Sequence, residues 1–364
     1  VESVQGYVNL KNKKNSSKRI AIFYFKGPGQ NALTASGMEV VPSLYNLLVR
    51  LKNEGYNVGK LPANPQELAK MIQAQGAVFG TYAEGAYTKF LQSGHPALVT
   101  AQQFAGWTQK ALSKKMIKEM NQLYGSFPGK YMATDDGKLA VARLQFGNVA
   151  LLPQVMAGVG GDSFKIVHGT DQAPPYTYVA SYLWARYGFS ADALIHFGTH
   201  GSLEYTPRKQ VALGSNDWSD RLIGVVPHFY IYTIGNVGEA MIAKRRTYAQ
   251  TQSYLTPPFK ESELRQTYKQ LSDAIQSYEK KATAEQSLKV KALTVKMGIA
   301  RELGLDAKQM NKPYSADEIA RVENYAEELA NEKITGKLYT LGVPYDNDDV
   351  RTSVYAMATD PIAY

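Results

Sequence analysis

Apolar positions along this chain follow two rhythms. Residues 19–26 form a nearly continuous β-prone apolar run, which Gly27, Pro28 and Gly29 interrupt. From residue 38 to 53 apolar side chains return at helical spacing, at Val41, Leu44, Leu48 and Leu51, and Gly55 is placed to end that helix. A strand, a glycine loop and an amphipathic helix, with "YNVGKL" opening a further strand, predict a parallel α/β unit. Residues 64–135 read as mostly helical, with Asn64 as a helix cap and Pro65 in the first helical position.

A second α/β pattern starts near Leu139. "LAVARLQFGNVALLPQ" predicts a hairpin turning at Gly147 and Asn148. "APPYTYVASYLWARYGF" is a helix entered through two prolines, "ADALIHFG" a strand, "DRLIGVVPHFYIYTIGN" more β-prone sequence, and "VGEAMIAKRRTYAQTQ" an amphipathic helix. From Pro257 the pattern is largely helical, and the last stretch, "ITGKLYTLGVPYDNDDVRTSVYAMATDP", reads as irregular with short strands. The expected class is α/β: Rossmann-like parallel α/β units followed by a largely helical carboxyl-terminal region. Three domains are expected. Residues 1–135 form an α/β domain with the glycine loop after its first strand, 136–256 a second α/β domain, and 257–364 a mainly helical region.

Composition narrows the chemistry. The chain has no cysteine, which excludes disulfides, thiolate nucleophiles and Cys-type metal sites within it. The net charge of +9 lies largely on solvated helices such as "YEKKATAEQSLKVKALTVKMG", and no basic–aromatic repeat accompanies it, so nucleic acid is not an expected partner. No apolar run reaches the roughly 18–20 residues that span a bilayer; association with a membrane surface is left open. The loop "GPGQNALTASG" is neither G-x-G-x-x-G nor a P-loop, so it reads as ligand lining at a strand end rather than a nucleotide cradle. The chain opens on Val1 without a signal-peptide pattern, which suggests a piece of a longer protein.

One stretch concentrates the chemistry. In "DALIHFGTHGSLEYTPRKQ", His196, His200 and Glu204 stand four residues apart, and Gly198 and Gly201 let the backbone turn sharply at a strand end. Two imidazoles and a carboxylate there suit a divalent metal held by N and O ligands, and equally suit proton transfer near neutral pH. The zinc-protease pattern H-E-x-x-H is absent. A structural role for His196 at a strand end is the competing reading.

The surroundings of this stretch resemble the large subunit of the cobalt and magnesium chelatases, the CobN and H-type proteins. The resemblance rests on the His-x-Gly-x-His-Gly-x-x-Glu segment at 196–204, the Pro-Gly-Lys-like stretch at 207–209, "LIG-x-x-P" at 222–227 and "E-x-x-x-AKRR" at 239–246. "RIAIFYF", "GNVALLPQ", "APPYTYVASYLW" and "ITGKLYTLGVP" extend it through nearly all of the chain. The chain departs from the family pattern with Arg208 in place of Gly, His228 where Asn is common, and no His after the proline pair. These departures also resemble the HmuS-type proteins of haem uptake.

The resemblance implies the carboxyl-terminal part of a tetrapyrrole metal chelatase. The metal is cobalt, iron or magnesium, and ATP enters only through separate AAA+ ATPase subunits, because no Walker motif occurs in the chain. It implies His200, Glu204 and His196 as catalytic and metal-binding residues. For the ligand's carboxylates it implies Lys209, Arg208, Lys244, Arg245 and Arg246, with Glu239 and His168 beside the site. For Lys244 to Arg246 a solvated helix face is the alternative. Tyr205, Trp218 and Tyr230 either line the macrocycle or belong to the core; His228 is structural or an axial ligand; His95 is local structure. Cobalt insertion into a corrin precursor, iron removal from haem, and carriage without turnover all remain open. Location follows the branch, cytoplasmic for a cobalt chelatase and the cell envelope for haem uptake.

Overall fold

A computed structural model describes residues 2–25, 34–78, 85–155, 157, 172–199, 201–207, 209, 211, 213–255, 264–331 and 338–363. Six strands make the main sheet: β1 (Ile20–Tyr24), β2 (Leu144–Phe146), β3 (Val149–Pro153), β4 (Ala193–Phe197), β5 (His228–Thr233) and β6 (Gln250–Tyr254). Their spatial order is β6-β5-β4-β1-β3-β2. Only β2 runs antiparallel, and it joins β3 through the two-residue turn at Gly147 and Asn148 that the sequence predicts. The chain is an α/β protein.

β1 is buried on both faces, which explains why its sequence is an unbroken apolar run rather than an alternation. Ala21 and Phe23 face a core shared with Leu152, Leu194 and the helix Tyr176–Leu183. Ile20, Ile22 and Tyr24 face the other core, where Leu44 and Leu48 of the helix Val40–Asn53 meet Leu68 and Ile72 of the helix Pro65–Gln75. Asn64 caps the latter helix, accepting from the Glu67 amide, with Pro65 in the first turn.

Three expectations are corrected. A boundary at 135/136 cuts through one sheet, because β1 lies between β3 and β4, in register from Ile20 with Val149 and Ala193 to Tyr24 with Pro153 and Phe197. One compact unit therefore holds Val1–Thr256 with Leu338–Tyr345. "YNVGKL" forms no strand: Asn57 accepts from the Asn148 amide at 2.8 Å, and Gly59 backs onto Gly147, so the segment seals the hairpin end instead of pairing along the sheet. The last stretch is mainly the helix Asn347–Ala363, started by reciprocal bonds between Asp346 and Asp349.

The other unit, Pro257–Lys337 with Asp346–Tyr364, is helical as the pattern predicts. Leu271, Ile275, Val290, Ile319 and Val322 form its core. Its buried Lys291 is neutralised by Asp306 at 2.8 Å and sits over the Tyr314 ring.

β1 and β4 are neighbours whose chains depart to opposite sides, the first toward β3 and the second toward β5. Their carboxyl ends, Tyr24 and Phe197, open side by side, the position at which parallel α/β sheets take ligands. Gly198 follows at once, with φ +98; a Cβ there would lie 2.6 Å from that of Ala35. We expect Gly198→Ala to cost roughly 3 kcal/mol in equilibrium urea unfolding, combining a left-handed backbone with a core clash.

Candidate functional site

The loop after β4 returns the chain onto the sheet face that carries β4 and β5. Parallel pairing sets His196 beside Tyr230, so His196, His228, Tyr230 and Tyr232 all rise from that face. Helix Tyr176–Leu183 covers them and adds Tyr178 and Tyr182, one turn apart. The short helical turn Leu203–Tyr205 then lowers Glu204 into the same layer.

Glu204 is fully buried. The Tyr230 hydroxyl donates to its Oε1 at 2.9 Å, while Oε2 has no hydrogen-bond partner among the described residues. The Arg246 guanidinium, also buried, donates through one terminal nitrogen to the Glu204 backbone carbonyl, leaving Nε and the other terminal nitrogen without a hydrogen-bond partner among the described residues. Burial pushes the Glu204 carboxyl up to about 7; Glu239 adds to the rise, and Tyr230 and Arg246 oppose it. Burial likewise lowers the Arg246 pKa from its ordinary value. Gly201 makes the approach of Tyr230 feasible: a Cβ there would lie 2.1 Å from the Tyr230 hydroxyl and 2.9 Å from Glu204 Oε2.

Around this carboxyl the polar groups form a continuous layer. The Tyr232 hydroxyl donates to Glu239 at 2.8 Å, as does the Asn236 amide at 2.5 Å. Tyr178 meets the Ser202 hydroxyl at 2.9 Å. Burial raises the pKa of Tyr178, Tyr182, Tyr230 and Tyr232 above the ordinary tyrosine value, so all four remain protonated donors at neutral pH.

His196, Glu204, Glu239 and Arg246, chosen from the sequence, are brought to this layer. For His196 the geometry matches the competing structural reading. Its Nε2 contacts the Tyr182 hydroxyl at 2.8 Å and its Nδ1 contacts His228 Nε2 at 3.1 Å, so neither nitrogen is open to a metal. Burial also holds its pKa well below the ordinary histidine value, with His228 contributing, so the ring is neutral near pH 7. Among the described residues no three His, Asp or Glu side chains gather as a metal-binding group.

Lys244 and Arg245 are exposed on the helix Val237–Thr247, and only Arg246 turns inward. Lys209 is exposed, its backbone amide donating to the buried Asp217 at 2.8 Å. Trp218 is buried in the core. His95 is exposed, in a left-handed turn. His200, Arg208 and His168 lie outside the described residues.

Sequence reasoning missed Tyr178, Tyr182, Tyr232 and Ser202. Two signals were there to read. "HFYIYT" repeats ring residues with polar tips at every second position, and "YTYVASYL" spaces tyrosines along a helix that is otherwise apolar.

A model of the family described as CobN/Magnesium Chelatase matches residues 1–363. The H-type subunit of the magnesium chelatase of Chlorobaculum parvum is 30% identical over 342 residues, covering 92% of this chain and 26% of that protein. Its namesake from Rhodobacter capsulatus is 34% identical over 76% of this chain and 22% of its own length. The aerobic cobaltochelatase subunit CobN of Pseudomonas aeruginosa is 29% identical over 72% of this chain and 20% of its own. The chain thus spans between about a fifth and 28% of the length of the curated relatives it matches. The solved catalytic subunit of cobaltochelatase from Mycobacterium tuberculosis shares the fold, with a TM-score of 0.64 and 22% identity over 96% of this chain and 30% of that one.

The buried carboxyl has a cost that depends on pH. Its folded-state pKa, about 7, lies above the ordinary 4.5, so the folded protein binds the proton more tightly than the unfolded chain does. The resulting stability is complete below pH 4.5 and is lost as pH rises toward 7, by roughly 3 kcal/mol in all. We expect Glu204→Gln to melt higher than the parent at pH 8 and to lose that advantage at pH 5, as followed by calorimetry.

Proposed function

The chain belongs to the CobN/magnesium chelatase family, and from that premise we propose that it carries the proton-transfer step by which a metal enters a tetrapyrrole, with Glu204 as the proton acceptor. Insertion of a divalent metal displaces two pyrrole N–H protons, so the protein must offer a base beside the ring. The observation that carries the reading is Glu204 itself: buried against the sheet face, one oxygen held by Tyr230, the other without a hydrogen-bond partner among the described residues, with a pKa of about 7. A group balanced in this way accepts a proton in one turnover and releases it before the next, whereas an ordinary exposed glutamate is too weak a base.

The other roles extend this proposal. Arg246 holds the Glu204 turn from below. Lys244 and Arg245, exposed on the same helix, are proposed to meet the ligand's carboxylates, together with Lys209 and Arg208. His200, four residues before Glu204 in sequence, is proposed as the second proton carrier, and His168 as a further substrate contact. The metal is a substrate, with cobalt the leading choice and a corrin precursor its acceptor. ATP acts through separate AAA+ ATPase subunits.

The direction of the reaction has a signature in pH. Insertion requires ionised Glu204 and therefore rises with pH through about 7. Removal of a metal, such as iron from haem, requires the protonated carboxyl and falls over the same range. We expect the full-length parent, supplied with free-base tetrapyrrole, metal and ATPase subunits, to quench the tetrapyrrole's fluorescence faster as pH rises from 6 to 8. We expect Glu204→Gln to slow this by about a hundredfold or more while the tetrapyrrole still binds. A rate that falls with pH, with fluorescence growing from haem, would reverse the assignment. Binding without any turnover would reduce the protein to a carrier.

A further inference from the structure

A second chain of contacts crosses the same buried layer beyond Glu204. It starts at the carbonyl of Thr247, which His228 Nδ1 meets at 2.9 Å. A carbonyl only accepts, so the hydrogen sits on His228 Nδ1. In a neutral ring the Nε2 of His228 is then an acceptor, and His196 donates to it from Nδ1 across 3.1 Å. His196 Nε2 becomes an acceptor in turn, and Tyr182 donates to it at 2.8 Å. One carbonyl thus dictates the direction of three consecutive bonds. Burial keeps both rings neutral, His228 being lowered to about 4.

Each end of this chain lies next to a group that holds Glu204. Thr247 follows Arg246, whose guanidinium donates to the Glu204 carbonyl. Tyr182 lies one helical turn from Tyr178, whose hydroxyl meets Ser202, two residues before Glu204. We infer that His228 and His196 are positioning residues for the Glu204 turn: a one-way hydrogen-bond relay, anchored on the Thr247 carbonyl, ties the helix end bearing Arg246 to the tyrosine helix above the sheet and so sets where Glu204 sits. The relay rests on the proposed role of Glu204 only for its functional meaning; its geometry is tested separately.

Ring nitrogens of the five histidines can be read by 15N-histidine labelling, with His196 and His228 assigned from the signals that His196→Asn and His228→Gln remove. At pH 7 both rings should carry their hydrogen on Nδ1, the tautomer less favoured in water. In His228→Leu the relay has no donor to Thr247 and no acceptor for His196. His196 should then move to the Nε2–H form, and amide hydrogen exchange at 201–207 and 243–249 should quicken by about tenfold, the scale of one lost buried hydrogen bond. His228→Gln, whose amide both donates and accepts, should restore the slow exchange. An Nε2–H tautomer on either ring of the unaltered chain would overturn the relay. So would unchanged exchange in His228→Leu, or a rise spread evenly over the whole sheet. Absence of metal exchange by the unaltered full-length parent would sink the chelatase reading alone, since tautomers and exchange rates decide the relay without it.

Discussion

A carboxyl group taken out of water must be neutral or matched, and the sheet face around Glu204 is organised by that requirement. No cation touches the carboxyl oxygens of Glu204 among the described residues; the guanidinium of Arg246 is spent on the backbone carbonyl instead. A direct ion pair would hold the carboxylate permanently charged. A single tyrosine donor together with deep burial leaves it close to the balance point. Gly201 belongs to the same solution, because the Tyr230 hydroxyl occupies the space a side chain would fill.

Much of the fold is legible in the sequence because its signals are local. β1 is readable from an unbroken apolar run, the helix Pro65–Gln75 from its cap and proline, and the β2–β3 turn from Gly-Asn. What escapes is what depends on partners distant in sequence. "YNVGKL" has strand-like residues, but its hydrogen bonds go to the hairpin end at Asn148. The supposed boundary at 135/136 fails for a related reason: the central position of β1 is decided by strands that arrive more than a hundred residues later.

The site shows the same division. Glu204 could be singled out because glycines and a strand end surround it in sequence. Its raised pKa comes from burial first, with Glu239 adding to it and Tyr230 and Arg246 opposing, and these partners arrive from β5 and the following helix. The sequence left His196 open between ligand and structural residue, because it does not show the neighbours: Tyr182 on one nitrogen and His228 on the other. Of three consecutive cations at 244–246, helical periodicity turns one inward and leaves two in solvent, a distinction that no motif carries.

The return of residues Leu338–Tyr345 to the first unit, after some 80 residues spent in the helical one, has an entropic meaning. Tyr254 and Tyr339 stack at 5.2 Å, and Tyr345 donates to the Leu255 carbonyl, so the point of departure and the point of return are pinned together. Were the intervening chain unstructured, closing such a loop would cost on the order of 4 kcal/mol. The helices Leu264–Lys280 and Ala316–Asn331 pack within one core of their own, which makes the effective loop shorter than its residue count. A folded insertion between Tyr254 and Tyr339 thus leaves less chain entropy to oppose that closure than an unstructured one of equal length would.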